Sequence, residues 1–251
     1  MPKRPKFRVY LAGPLSGCND DQLRGWREQL KKEYDRDFEF IDPTGQLLRD
    51  GQASSYAIVE ADRNAIEDAD GLLVNMWRES IGTAFGVIHA RNVGRPVVVA
   101  DPNHLNNRVL AFYADAVVDS PRKAASLLRD ILRAEGGWLV VKQRGRSEEP
   151  FERRKLVRSL RGACRDAGRD DIVVPQLVLP RVIESLQKND RRLANRLTAA
   201  DLDKAVTAAL HQLDRDDIHR QAVQGVREEW QKLAEEGSGQ VRRLPDLRRP
   251  S

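Results

Sequence analysis

The chain holds 251 residues, 40% of them hydrophobic and 32% charged, and no apolar run approaches the ~20 residues of a membrane span. That length allows two ordinary domains with real cores, while two cysteines, Cys18 and Cys164, are too few for a disulfide framework or a four-cysteine zinc site, and no metal site is expected. The net charge of +5 is uneven: residues 1–125 are net −1, residues 126–251 net +6, and residues 138–198 alone net +7, which concentrates anion-binding capacity in the second half.

The start, Met1-Pro-Lys-Arg-Pro-Lys6, is basic but leads into a strand rather than a signal-peptide core, so a cytoplasmic location without membrane contact is expected. Phe7-Arg-Val-Tyr-Leu-Ala-Gly-Pro-Leu-Ser-Gly17 reads as a strand running into a ligand-type loop rich in Gly, Pro and Ser. Leu23, Trp26, Leu30 and Tyr34 give residues 21–34 helical spacing, 38–42 return as a strand, and 43–54 read as loop. Residues 55–69 form a helix with Ile58, Val59, Ala61, Ala65, Ile66 and Ala69 placed to face a sheet. Residues 71–76 and 96–100 are apolar runs suited to strands buried on both faces. Between them residues 83–92 are helical, with Ser80 as N-cap, so one βαβ unit places the loop Trp77–Gly82 outside the carboxyl end of its first strand. Ligands of open α/β sheets bind there. A short helix is predicted over 104–113, a last strand over 116–118 and a closing helix over 121–134. This alternation predicts an α/β fold, a doubly wound flavodoxin- or Rossmann-like parallel sheet. Gly13 and Ser16 in the first loop, with Ser80, Gly82 and Thr83 at the start of the helix, suit a phosphate such as a nucleotide 5′-phosphate; the same residue types also suit plain capping.

Composition changes after Glu135-Gly-Gly137, dividing a first domain (1–135) from a second, smaller one (138–230) and a flexible basic tail (235–251). In the second, 138–146 read as strand, basic turn and return, with Glu149-Pro-Phe151 beyond. Residues 152–167, 175–187 and 198–213 are helical, the last opened by Thr198 and Asp201 as a capping-box variant. Lys142, Arg146 and Lys155 meet at one corner of this arrangement and suit a polyphosphate.

Val9-Tyr-Leu-Ala-Gly-Pro14, Asp62-Arg-Asn-Ala-Ile-Glu-Asp-Ala-Asp70, Val74-Asn-Met-Trp77 and Gly82-Thr-Ala-Phe-x-x-x-x-Ala90 resemble the nucleoside 2-deoxyribosyltransferase family over residues 7–133. The resemblance implies cleavage of the N-glycosidic bond of a deoxynucleoside or deoxynucleotide through a glycosyl-enzyme on a carboxylate, with Tyr10 and Asp62 lining the pocket. One departure bears on that chemistry. The family's nucleophile is a Glu three residues after the Gly-Thr pair, and this chain has Gly86 there. Asp62, Glu60 and Glu79 are the carboxylates nearby, Glu79 in the loop at the strand's end.

Val141-Lys142, Gly145-Arg146, Pro150-Phe151, Lys155-Leu156 and the Thr198-x-x-Asp-Leu-x-x-x-Val206-x-x-x-Leu210 helix resemble the ATP-cone, a mainly helical nucleotide-binding module, over residues 138–230. That implies ATP or dATP held by Lys142, Arg146, Phe151 and Lys155, with Mg²⁺ accompanying the triphosphate, and occupancy that alters how modules assemble. Gln143 and Arg144 stand where Arg and Asp are usual, and one extra residue precedes Pro150. Two functions stay open: a nucleotide sensor without catalysis, which Gly86 favours, and an ATP-cone-gated N-glycosidase or deoxyribosyltransferase with a displaced carboxylate. Expected partners are nucleotides, further copies of the chain and a protein. No zinc ribbon, recognition helix or internal repeat supports a nucleic-acid reader.

Overall fold

The computed structural model describes residues 6–47, 54–136, 138–142, 147–169, 173–193, 196–216 and 219–237. The predicted basic turn with Arg146, the middle of the 43–54 loop and the tail beyond 237 lie outside these residues. What is described falls into two compact units, one from Met1–Leu139 and Glu149–Val157, the other from Val140–Glu148 and Arg158–Ser251.

The first unit is built on β1 (Phe7–Ala12), β2 (Phe38–Ile41), β3 (Gly71–Asn75), β4 (Val97–Ala100) and β5 (Ala116–Val118). They form a five-stranded, all-parallel sheet in the order β2-β1-β3-β4-β5, the flavodoxin-like order of doubly wound α/β folds. β3 and β4 are buried at every position, as largely apolar runs require of strands covered on both faces. β1 shows the two faces by alternation. Val9 and Leu11 enter one core with residues of α1 (Trp26–Glu33) and α6 (Pro121–Gly136), and Tyr10 and Ala12 enter the other with α3 (Ser55–Asp68), α4 (Ile81–Asn92) and α5 (Arg108–Tyr113).

Local hydrogen bonding explains where these elements depart from the predicted ones. Residues 21–25 wind as a π-helical turn before α1. Within the predicted 43–54 loop a short helix, α2 (Thr44–Leu47), forms, because Asp42 Oδ1 accepts from the Thr44 N–H at 2.9 Å and the Thr44 hydroxyl at 2.8 Å. The helix predicted from residue 104 starts only at Arg108. Asp101 draws the chain round its carboxylate, accepting the Leu105 and Asn106 N–H groups at 2.9 and 3.0 Å, while His104 and Asn106 take φ of 52° and 53°.

At the amino-terminal end of the sheet four charges meet away from water. Asp115 Oδ1 accepts from Arg91 Nη1 (2.8 Å) and Arg153 Nη1 (2.7 Å), and its other oxygen takes the Val97 N–H at 2.8 Å. Arg153 also grips Glu135 with two N–H groups, Nε at 2.6 Å and Nη2. Burial opposes the Asp115 charge, but Arg153 and then Arg91 outweigh it and hold the carboxyl below the ordinary aspartate range. Arg153 opens α7 (Arg153–Asp166), and its backbone lies on Gly94, where φ is +77° and a Cβ would come within 2.6 Å of the Arg154 Cα. Only glycine suits that position.

The second unit carries a three-stranded sheet, order β7-β6-β8, of β6 (Leu139–Lys142), β7 (Ser147–Pro150) and β8 (Arg196–Thr198). With it are the later turns of α7 and four helices, α8 (Val173–Leu193), α9 (Ala199–Asp214), α10 (Arg220–Val223) and α11 (Val226–Gly237). Leu160, Val178, Val182, Val206 and Leu210 are fully buried among them. α8 outruns the predicted 175–187 although Pro180 lies inside it; in the turn where Pro180 supplies no N–H, Arg181 Nη1 donates to the Leu177 carbonyl at 2.8 Å. α9 opens on a reciprocal capping box: Thr198 Oγ1 accepts the Asp201 N–H at 3.1 Å and Asp201 Oδ2 the Thr198 N–H at 2.9 Å. α11 extends through Gly237, beyond the predicted start of the tail at 235. Among the described residues no helix is long and apolar enough to cross a membrane.

Candidate functional site

In a sheet of this order the crevice opens between the carboxyl ends of β1 and β3, where successive connections leave in opposite directions. Tyr10, near the end of β1, points toward α3 and donates its phenol to Asp62 Oδ1 at 2.7 Å. The structure thus joins two residues that lie 52 positions apart in the chain. Burial, then the Asp62 charge, push the Tyr10 phenol well above its ordinary value, so it remains a donor. Burial also raises Asp62, against the Tyr10 hydrogen bond, which favours the carboxylate.

Beneath this pair lies a second group that sequence reasoning missed. Arg27 is fully buried, stacks 4.4 Å over the Trp26 ring and donates Nη1 to the Leu23 carbonyl. Its Nε lies 3.5 Å from Asp42 Oδ1, and Asp42 also accepts Lys31 Nζ at 2.6 Å. Burial opposes the Asp42 charge, but Lys31 and Thr44 hold its carboxyl below the ordinary range. Arg27 Nη2, Asn75 Oδ1 and Trp77 Nε1 are buried without a hydrogen-bond partner among the described residues. Buried polar groups of this kind mark capacity that a ligand or water can take up. The signal for Arg27 was present in the sequence, for it falls four residues after Leu23 and three before Leu30, an arginine on an apolar helical stripe.

Gly13 lets the first loop pass through this cluster, since a Cβ there would sit 3.1 Å from the Asn75 carbonyl, 3.2 Å from Trp26 and 3.4 Å from Arg27 Nη2. Ser16 and Gly17 lie against the second loop: Arg78 Nη2 donates to the Ser16 carbonyl and lies 3.2 Å from Cys18 Sγ. Ser80 caps α4, accepting the Thr83 N–H at 3.3 Å and the Thr83 hydroxyl at 3.0 Å, while Gly82 is open to solvent. Glu79 is exposed and makes no side-chain hydrogen bond or ion pair among the described residues. Gly86 lies mid-α4, and a Cβ there would meet Ile66 Cδ1 at an ordinary 3.5 Å. Beside α3 an open groove of about 560 Å³ is lined by Arg8, Ile41, Asp42, Gly45, Ala61, Asn64, Ala65 and Asp68.

Of the residues assigned to ATP, Lys155 is engaged by Glu149 (3.1 Å) and Glu152 (2.9 Å), Glu152 chiefly raising its ammonium above the ordinary lysine range. Phe151 is buried edge-on against Trp138, ring centroids 5.5 Å apart. Lys142 is in β6, but its side chain, like Arg146, lies outside what is described.

Tyr10→Phe is expected to raise the Asp62 pKa further, because it removes a hydrogen bond that favours the carboxylate. An aspartate raised on folding adds stability below its unfolded value and loses it as pH rises through the folded one. The variant should therefore lose that contribution at a higher pH than wild type. Carboxyl-carbon NMR titration reads both values, and a lowered or unmoved Asp62 would contradict the arrangement. No family model matches the chain, and no curated protein matches it.

Proposed function

We propose that the chain is a nucleotide-binding sensor: the sheet unit holds a nucleoside or nucleotide at the β1/β3 crevice, and the ATP-cone-like stretch 138–230 takes ATP or dATP. The observation that carries this reading is the Tyr10–Asp62 pair beside buried, unpartnered polar atoms on Arg27, Asn75 and Trp77, with glycine and not a carboxylate at position 86. Recognition groups are retained and the attacking group is absent. An N-glycosidase or deoxyribosyltransferase gated by the ATP-cone-like stretch is the competing reading. What favours it is Asp62 itself, a carboxyl raised by burial and hydrogen-bonded to a phenol, as acid–base chemistry needs.

Titration calorimetry on the full chain tests the ATP reading. Lys155→Ala or Arg146→Ala should weaken ATP or dATP about tenfold or more, the worth of a charge-assisted contact. Because Glu149 and Glu152 compete with phosphate for Lys155, replacing both with Gln should tighten binding about fivefold. Affinity unchanged in both cation variants would sink the assignment. The full chain is required, since a fragment starting at residue 136 leaves Arg153 without Asp115 and Glu135.

A further inference from the structure

The chain has two cysteines, and their surroundings differ: Cys164 is 1% exposed, whereas Cys18 is half-buried in the loop that follows β1. Cys18 Sγ turns back on its own loop, donating to the Pro14 carbonyl at 3.4 Å, and Arg78 Nη2 reaches it from the loop after β3 at 3.2 Å. Arg78 is held there. The same nitrogen donates to the Ser16 carbonyl, the guanidinium lies 4.9 Å from the Trp77 ring centroid, and its terminal nitrogens stand 3.7 and 3.9 Å from the place of a Gly17 Cβ. No carboxylate pairs with Arg78 among the described residues, so its charge is left to the sulfur.

A second cation faces the same turn. Arg27 is fully buried, and its Nη2, without a hydrogen-bond partner among the described residues, lies 3.4 Å from the place of a Gly13 Cβ. Gly13 immediately precedes Pro14, whose carbonyl Cys18 contacts, and Cys18 is among the groups whose charge acts on Arg27. A buried N–H left over in this way has capacity for one more acceptor.

We propose that Cys18 is a peroxide-modified thiol, its oxidation to the sulfenic acid assisted by Arg78 and Arg27. The sulfur attacks one peroxide oxygen, the O–O bond breaks, and the other oxygen leaves as hydroxide and takes up the thiol proton as water. The sulfur gives up two electrons and the peroxide accepts them. Negative charge passes from sulfur to the leaving oxygen, and fixed donors on both sides of that path lower the barrier. Arg78 supplies one donor at the sulfur, and Arg27 Nη2 supplies another that no protein acceptor contests. Cys164, closed off from water, serves as the internal comparison. The step uses nothing from a ligand in the crevice and stands apart from the nucleotide reading.

The test treats the full chain with hydrogen peroxide at about 10–100 µM in the presence of dimedone, which traps sulfenic acids, and locates the adduct by peptide mass spectrometry. A single adduct is expected on Cys18, formed about tenfold faster than on N-acetylcysteine and absent in Cys18→Ser. Arg78→Ala should slow it about tenfold, the worth of a charge-assisted contact, and Arg78→Lys should restore part of the rate. If circular dichroism shows Arg78→Ala to be unfolded, Arg78→Gln, which keeps a donor without the charge, takes its place. An adduct on Cys164 rather than Cys18, a Cys18 rate no greater than that of N-acetylcysteine, or a rate unchanged or raised once the Arg78 charge is removed would each overturn the proposal.

Discussion

Gly86→Glu should release free base from a bound nucleoside or nucleotide, while the wild-type chain releases it about 10³-fold more slowly or not at all, a covalent nucleophile being worth several powers of ten. Two structural points make the substitution informative. A Cβ at 86 meets Ile66 at an ordinary 3.5 Å, so the helix accepts it, and Glu is a better helix former than Gly by about 0.6 kcal/mol or more. Helical side chains also lean toward the N-terminus of their helix, so a Glu at 86 covers the preceding turn of α4. Asp62 stands one turn before Ile66 on α3, which brings the new carboxylate toward the Tyr10–Asp62 pair. Chromatography of released base over a panel of nucleosides and 5′-monophosphates, with wild type, Gly86→Glu and Glu79→Gln, separates the readings. Robust wild-type release abolished by Glu79→Gln would make the exposed Glu79 the attacking group and overturn the sensor. Release by Gly86→Glu alone identifies the natural protein as a binder.

Loss of Arg153 is expected to cost about 3–5 kcal/mol of unfolding free energy, the usual consequence of stranding buried charges. Arg153→Ala leaves Glu135 without its bidentate partner and Asp115 with Arg91 alone. Urea denaturation measures the loss. Removing Glu135 as well, in Arg153→Met/Glu135→Leu, keeps the remaining Arg91–Asp115 pair balanced and should recover most of it. Acid titration gives a second reading. Asp115 is depressed on folding, so its contribution is present above the unfolded aspartate value and lost as pH falls through the folded one. Without Arg153 that loss should begin at a higher pH. A single variant as stable as wild type would show that the four charges contribute nothing net.

What could be read beforehand follows from how local each signal is. β3 and β4 were legible because short, largely apolar and β-branched runs bounded by Gly and Pro fit a doubly covered strand at that length. Thr198 and Asp201 were legible as a cap because three residues suffice to close it. β8 was not, since Arg196–Thr198 is too short for any period to register. Arg27 stood on a legible apolar stripe, but its full burial depends on how α1 packs, which the stripe does not encode. Tyr10 and Asp62 were marked by resemblance, yet their hydrogen bond depends on α3 lying over β1, which no local pattern encodes. The Arg153 cluster draws on α4, the turn before β5, α6 and α7, between residues 91 and 153, and the Gly pair at 136–137, which reads as a divider, comes before a stretch that returns to the first unit.

The strand order carries a consequence for how the chain acquires its shape. β1 pairs with β3 in the register Val9↔Gly71 and Tyr10↔Leu72, contacts that span some sixty residues. Parallel pairing admits no hairpin, so the centre of the sheet cannot nucleate locally and must wait for a long segment to close on itself. During synthesis β1 therefore leaves the ribosome before either of its neighbours is made, and its Val9 and Leu11 stay incompletely covered until α6 has emerged. The basic residues Lys6 and Arg8 at its start work as gatekeepers over that interval, keeping an unpaired apolar strand apart from others of its kind.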